Sequence, residues 1–170
     1  MTLAIAHRGP TTAVLDAVRE ARPPFSPEEV VAQFSAVLTK YGITRVIADR
    51  YADQWPQERF RSHRIRDVPA DRAKSDLYHN VLPLLTSRNV ELLDDRRLVG
   101  QLLALERRTS WGGRDSVDHP PGGYDDLINA ALGALELAWR YGPTPLVPPS
   151  VREELRIEQI DMPRRTRTMF

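Results

Sequence analysis

The chain has 170 residues, of which 41% are hydrophobic and 28% are charged, and its formal net charge is +1. This composition predicts one domain with a hydrophobic core and excludes a disordered chain. Because there is no cysteine, disulfides and thiolate zinc sites are excluded. No apolar run reaches the roughly 20 residues that cross a bilayer, and the first residues lack a signal-peptide pattern. We therefore expect a soluble, intracellular protein.

The chain begins with two short strand patterns. Thr2 to His7 and Thr12 to Val18 are β-branched or alternating runs, and Arg8, Gly9 and Pro10 separate them. This arrangement predicts a β-hairpin.

The clearest helix signal follows the hairpin. Ser26 is the expected N-cap, Pro27 takes the first helical position, and Glu29 completes a capping box. Apolar residues keep the helical period from Val30 to Tyr41, and Gly42 supplies the stop.

The middle of the chain alternates strand and helix patterns. Ile43 to Ala48 predicts a strand with Asp49 at its C-terminal end. Pro83 predicts a kink or a break in the long helix that contains it. The remaining predicted elements are a helix near 54–63, a weak strand near 65–68, a helix over about 71–87, a short strand over 90–93 and a helix over 96–107.

The last third contains an irregular strand or hairpin over 109–118 and then a helix after Asp125 and Asp126. The apolar stripe of that helix is Leu127, Ala131, Leu135 and Ala138. From residue 143 the chain becomes a proline-rich connector with a short helix and a basic tail, so we expect a domain over 1–142 and an extension over 143–170. Strands that alternate with helices predict a mixed α/β domain around a central sheet.

Three aspartates are candidate metal ligands. Asp49 lies at a strand end, and Asp125 with Asp126 lies at a helix start, which is where sites form in α/β sheets. Carboxylates suit Mg²⁺ or Mn²⁺, and two such ions can promote phosphodiester hydrolysis. An ordinary structural role stays open, since Asp49 suits a turn and one of the paired aspartates suits an N-cap.

Basic residues supply candidate DNA contacts. Lys74 precedes a helix, while Arg107, Arg108 and Arg114 surround a glycine turn, so each is placed to contact a phosphate or simply to be solvated. The four histidines have no metal-binding spacing, and we expect structural roles for them; they are His7, His63, His79 and His119.

Several segments, taken in order, resemble the nuclease domain of tailed-phage large terminase subunits. They are TLAIAHR, PPFSPEEVVAQFSAVLTKYGITRVIADRYADQW, AKSDLYHNVLPLL, LVGQLLALERRTSWGGRDSVDHPPGG and YDDLINAALGAL, which span most of Thr2 to Leu135. The resemblance implies a ribonuclease H-like fold and cleavage of double-stranded DNA with two Mg²⁺ or Mn²⁺ ions. It also implies a small terminase subunit and a portal protein as partners, in the cytoplasm of a bacterial host.

The resemblance also implies roles for particular residues. Asp49 in VIADRY matches the family's second acidic position, and Asp125 and Asp126 match its last acidic motif, in which Tyr124 replaces the usual histidine. The family's first metal-binding aspartate lies on a central strand just before the first matching segment. We therefore expect an N-terminally truncated domain that lacks this strand and leaves two neighbouring strands without a partner. Asp16 does not match a catalytic position.

Other functions stay open on the sequence. An inactive remnant would keep the fold and bind DNA or packaging partners without cutting. A different ribonuclease H-like nuclease, such as a resolvase or transposase, is a third possibility, against which the near-continuous matching segments argue. The sequence contains no GxxxxGK[ST] phosphate loop, so we find no sequence signal for an ATPase domain.

Overall fold

The computed structural model describes residues 1–48, 54–109 and 115–142, in which strands and helices are mixed. The strands are β1 (Thr2–Arg8), β2 (Ala13–Glu20), β3 (Arg45–Ala48), β4 (Arg66–Pro69), β5 (Val90–Glu91), β6 (Glu106–Thr109) and β7 (Asp115–Asp118). The helices are α1 (Pro27–Lys40), α2 (Gln54–Ser62), α3 (Lys74–Thr86), α4 (Arg96–Leu103) and α5 (Asp126–Tyr141). The expected extension over 143–170 lies outside the described residues.

The first sheet has the order β1-β2-β5 and is mixed. β1 and β2 form the predicted antiparallel hairpin, whose turn is closed by a 2.8 Å hydrogen bond from the Gly9 N–H to the Thr12 carbonyl. The pairing shifts register between Ile5 and Ala6, and β5 runs parallel to β2.

Two further sheets have two strands each. β3 and β4 are parallel, and β6 and β7 are antiparallel. Over residues 1–48, 54–109 and 115–142, no hydrogen-bonded ladder joins the β3–β4 pair to β1. In this part of the chain β1 is therefore paired only with β2, and β3 only with β4.

Helix α1 has the predicted N-terminal cap. The Ser26 hydroxyl accepts a hydrogen bond from the Glu29 N–H, and Pro27 is the first helical residue. At the other end Gly42 has a φ of +66°, which a residue with a side chain rarely adopts. Sequence signals at both ends therefore set the limits of this helix.

The apolar face of α1 packs against residues from the β1-β2-β5 sheet and from the region of the β3–β4 pair. The buried cluster on this side combines α1 with the β1–β2 hairpin and with residues near β4, and β3 adds Val46 at its edge. Its fully buried members include Val30, Val31 and Leu38. Hydrophobic packing on α1 thus holds the two separate sheets together.

Helices α3, α4 and α5 pack on the opposite face of the hairpin. Ile5 belongs to the α1 cluster, whereas its neighbours Ala4 and Ala6 contact the second cluster, as strand alternation requires. The centre of the second cluster contains Leu15, Val81, Leu98 and Leu135, all fully buried. The predicted stripe of α5 is buried as expected.

The structure differs from the sequence prediction at the end of α4 and at Pro83. The predicted helix over 96–107 ends at Leu103, and Glu106 and Arg107 instead belong to β6, where pairing with β7 satisfies their backbone groups. Helix α3 runs through Pro83 without a break. Because Pro83 lies in the last turn and is exposed, only one late hydrogen bond is lost, and the Thr86 hydroxyl binds the Leu82 and Pro83 carbonyls.

No helix in the described ranges is long and apolar enough to cross a membrane.

We predict that Leu135→Ala lowers the free energy of unfolding by about 2–5 kcal/mol, because it leaves a cavity at a fully buried position. Urea denaturation followed by circular dichroism measures the change. Leu103→Ala, at a side chain that is 79% exposed, is the matched control. Equal losses in the two variants would contradict the assignment of the core.

Candidate metal site

The start of α5 is capped by a residue from another helix. Asp125 occupies the N-cap position, but its side chain makes no capping hydrogen bond. Instead, Oε1 of Gln101, from α4, accepts hydrogen bonds from the Leu127 and Ile128 N–H groups at 3.1 and 3.0 Å. The Asp125 carboxylate is therefore not used to cap the helix.

The Asp125 carboxylate is buried and contacts α3. Its exposed fraction is 6%, and its Oδ2 lies 2.5 Å from the Lys74 ammonium nitrogen. The Tyr78 hydroxyl donates a second hydrogen bond to Oδ2 at 2.8 Å. Lys74 and Tyr78 lie four residues apart on α3, so they share one face of that helix.

Asp118, the last residue of β7, faces the same lysine. Lys74 Nζ donates to Asp118 Oδ1 at 2.7 Å, so the ammonium contacts two carboxylates from different elements. The neighbouring His119 N–H also donates to Asp118 Oδ1, at 2.8 Å. A single cationic group thus joins α3, the end of the β6–β7 hairpin and the start of α5.

The His119 ring completes the group. Its Nδ1 is 2.8 Å from the Pro120 carbonyl oxygen. Because a carbonyl only accepts, Nδ1 carries the proton and Nε2 is the nitrogen left to bind a cation. Nε2 lies 3.8 Å from Asp118 Oδ1 and 4.0 Å from Asp125 Oδ1. Such a backbone contact is typical of histidines that bind metals.

The donor set fits a divalent cation. Ligand atoms of Asp118, His119 and Asp125 all lie within 4.8 Å of one another, and among the described residues no other histidine–acid group of three does so. Ligands of one octahedral ion with bonds of about 2.1 Å lie roughly 3 Å apart when adjacent and roughly 4 Å apart when opposed, so the three side chains would have to move somewhat closer together around an ion. The Lys74 ammonium already places a positive charge between the Asp118 and Asp125 carboxylates.

The protonation of the group follows from these contacts. Burial acts to lower the pKa of Lys74, but its hydrogen bonds to Asp118 and Asp125 outweigh burial and raise the pKa. The hydrogen bond from Lys74 lowers the pKa of Asp118. Burial and then the hydrogen bond to Asp125 raise the pKa of Tyr78, which stays a neutral donor. Lys74 is therefore a cation and Asp118 an anion at neutral pH.

The structure separates the two adjacent aspartates. Asp125 points inward, whereas Asp126 is exposed in the first turn of α5 and lies outside the compact group of three. The Asp126 carbonyl accepts a hydrogen bond from the Thr2 hydroxyl. Asp49, the third predicted ligand, follows β3 directly but lies outside the described residues.

The predicted DNA-contacting residues have different settings. Lys74 is held by two carboxylates, while Arg107 and Arg108 are exposed neighbours on β6 and so point to opposite sides of that strand. Arg108 Nη2 contacts Glu106 at 3.0 Å and the His119 carbonyl at 3.4 Å. Arg114 lies outside the described residues. Contacts of these side chains with DNA stay predictions.

Sequence reasoning missed Asp118 and His119. No helical or zinc-type spacing connects them to Asp125, since the PPGGY loop lies between. That loop turns back at Pro120, whose carbonyl accepts from the Gly123 N–H, and at Gly122, whose φ is +78°. The available signal was an Asp-His pair followed by a Pro-Pro-Gly-Gly turn, which returns the chain toward the aspartates.

The fold resembles that of solved nuclease domains from phage large terminases. The structure resembles the crystal structure of the large terminase nuclease from thermophilic phage G20c with a TM-score of 0.60 and 19% identity, over 82% of this chain and 81% of that chain. The G20c nuclease with bound magnesium also gives a TM-score of 0.60, with 18% identity over 81% and 80% of the two chains. The large terminase nuclease domain of Thermus phage P74-26 gives 0.55, with 17% identity over 82% and 78%.

No family model matches the sequence, and no curated protein matches it. At identities of 17–19%, the structural similarity establishes the fold. The chain has the ribonuclease H-like α/β fold of large terminase nuclease domains, with a mixed sheet flanked by helices. The fold expected from the matching sequence segments is confirmed.

We predict that Gln101→Met lowers the free energy of unfolding by about 1–3 kcal/mol, because two buried N–H groups at the start of α5 lose their acceptor. Methionine keeps the approximate size of the side chain. Urea denaturation measures the loss. Wild-type stability in Gln101→Met would show that the cap contributes little.

We predict that Lys74→Gln raises the pKa of Asp118 toward its ordinary value, since the main cause of the lowered pKa is removed. A carboxylate with a lowered folded-state pKa stabilises the protein above its unfolded-state pKa, and this contribution is lost as pH falls through the folded-state pKa. The difference in stability between wild type and Lys74→Gln should therefore shrink below about pH 4. Carbon-detected NMR titration of the Asp118 carboxyl and acid denaturation provide the two measurements.

Proposed function

We propose that this chain is the metal-dependent endonuclease domain of a DNA-packaging terminase large subunit and that it cuts double-stranded DNA. The observation that carries the proposal is the buried Asp125 carboxylate beside Asp118 and His119, in a fold shared with large terminase nucleases. A carboxylate placed at a helix start and not used as its cap is available to bind a cation.

The residues that would hold metal come from two sources. Asp118, His119 and Asp125 are together in the described part of the chain, and Asp49 and Asp126 are added from the acidic motifs of the family. Mg²⁺ or Mn²⁺ bound there supplies an activated water and neutralises charge on the phosphodiester. Because imidazole suits transition metals better than Mg²⁺, His119 favours Mn²⁺. A pair of ions would need Asp49 and Asp126 as further ligands.

The chain's own residues prepare the site for this chemistry. Tyr78 stays protonated and directs its O–H toward Asp125 Oδ2, which fixes the orientation of that carboxylate. The Pro120 carbonyl fixes the tautomer and the direction of the His119 ring. Preorganised ligands of this kind need little rearrangement when an ion binds.

The β6–β7 hairpin is the proposed DNA-positioning element. Arg107 and Arg108 are exposed on β6, and the hairpin ends at Asp118 in the metal group. Arginines on this hairpin, Arg114 among them, would contact phosphates and set the position of the backbone without reading its sequence. The small terminase subunit and the portal protein are the proposed protein partners, in the cytoplasm of a bacterial host.

A non-cleaving domain that binds DNA or packaging partners is the second candidate. The specific observation in its favour is that Lys74 already neutralises Asp118 and Asp125.

Cleavage of supercoiled plasmid DNA with Mn²⁺ distinguishes the two candidates. We expect nicking by the wild type and a loss on the order of 100-fold in Asp125→Asn, because a ligand carboxylate becomes a neutral amide. Asp49→Ala and Asp126→Asn test the other motif positions. Asp76→Asn, at an exposed position in the first turn of α3, is the matched control.

Nicking that is equal in wild type and Asp125→Asn would reject catalysis through this site. No nicking by any protein, combined with DNA binding in a gel-shift assay, would support the non-cleaving domain instead.

A further inference from the structure

The Lys74 ammonium lies where an ion shared by Asp118 and Asp125 would lie. Nζ is 2.7 Å from Asp118 Oδ1 and 2.5 Å from Asp125 Oδ2. An ion bound to the same two oxygens at about 2.1 Å would lie in nearly the same place. Two cations so close together repel each other strongly, so the lysine and the ion exclude one another at these oxygens.

Without a cation the two carboxylates would repel each other. Asp125 is only 6% exposed, and a buried charge without a partner is costly. Lys74 removes that cost while no ion is bound, and it holds the end of β7 beside the start of α5. The side chain of Lys74 is itself 34% exposed, so solvent is open to the ammonium when it leaves the carboxylates.

The residue type fits a reversible contact. The chain has 22 arginines and two lysines, Lys40 and Lys74, so the cation of this group is a lysine in a chain that otherwise uses arginine. An arginine would bind a carboxylate through two N–H groups of its rigid, planar guanidinium, whereas a lysine carries a compact ammonium at the end of a flexible aliphatic side chain. A flexible stem allows the charge to move away without a change in the backbone of α3.

We propose that Lys74 and a divalent cation are alternative occupants of the Asp118–His119–Asp125 group. Lys74 keeps the carboxylates together in the ion-free protein and is released when the ion binds to them and to His119 Nε2. The released ammonium is then available to bind an anion such as a DNA phosphate. The ion pairs of Lys74 and the phosphate contact predicted from the sequence would therefore belong to two different states of the same side chain. This inference rests on the proposed function only in taking a divalent cation as the ligand.

NMR of the wild-type chain tests the exchange directly. Lysine labelled at the ε carbon gives two signals, one from Lys74 and one from the exposed Lys40, which serves as the internal control. On titration with MgCl₂, which is diamagnetic, we expect the Lys74 signal to move toward that of a solvated lysine while the Lys40 signal stays in place. A Lys74 signal that moves neither with millimolar Mg²⁺ nor with Zn²⁺, which is also diamagnetic and which imidazole binds well, or that moves equally with Lys40, would overturn the proposal.

Affinity for Mn²⁺ provides a second, independent test. Free Mn²⁺ measured by electron paramagnetic resonance gives the dissociation constant for wild type, Lys74→Gln and the matched control Lys40→Gln. We expect Lys74→Gln to bind Mn²⁺ about tenfold more tightly, because the ion no longer competes with a partly buried ion pair, and Lys40→Gln to match wild type. Asp118→Asn and His119→Ala should each weaken binding.

Weaker or unchanged Mn²⁺ affinity in Lys74→Gln would overturn the proposal, since Lys74 would then support the ligands beside the ion. Thermal unfolding checks that the Lys74→Gln variant is folded. If the variant is unfolded, the NMR titration of the wild-type chain alone tests whether Lys74 and the ion exchange. These outcomes are separate from cleavage. Exchange without nicking would reject the nuclease only, and nicking with an unmoved Lys74 signal would reject the exchange only.

Discussion

The constraint on which the site depends is the burial of a carboxylate at the start of α5. A buried Asp125 requires a partner charge and hydrogen bonds, and α3 supplies both through Lys74 and Tyr78. Lys74 then also draws in Asp118, so the position of the β6–β7 hairpin follows from the same contact. Because Asp125 is engaged in this way, the buried N–H groups in the first turn of α5 need another acceptor, and Gln101 of α4 provides it.

Elements with local signals could be predicted from the sequence. Helix α1 has its cap, its first-turn proline and its stop within a few residues of its ends, and the stripe of α5 repeats with the helical period. The site could not be predicted in the same way, since Lys74 and Asp118 are 44 residues apart and Tyr78 and Asp125 are 47. Such contacts depend on how helices pack, and no short-range pattern encodes that packing.

The paired aspartates show where the sequence was informative and where it was not. The sequence predicts that one of the two suits a helix cap, and Asp125 does take the N-cap position, but the capping side chain is that of Gln101, which no local signal marks. Asp125 lies at the N-cap with non-helical dihedral angles, whereas Asp126 is the first helical residue, so the two adjacent carboxylates leave the backbone in different directions. Here Asp125 is directed into the protein and Asp126 into solvent. Repulsion between the two is thereby reduced without any bound ion.

The described site residues lie on helices and on the small hairpin, not on the β1-β2-β5 sheet. Lys74 and Tyr78 come from α3, Asp125 precedes α5, and Asp118 ends β7. Their relative positions are therefore set by the cluster in which Leu98, Leu135 and Val81 bury the contacts among α4, α5 and α3. Because those contacts are hydrophobic and lie behind the charged group, the site keeps its shape while its cation changes. A charge exchange beside this packed core needs only one side chain to move, and lysine carries its charge on a flexible stem that allows the movement.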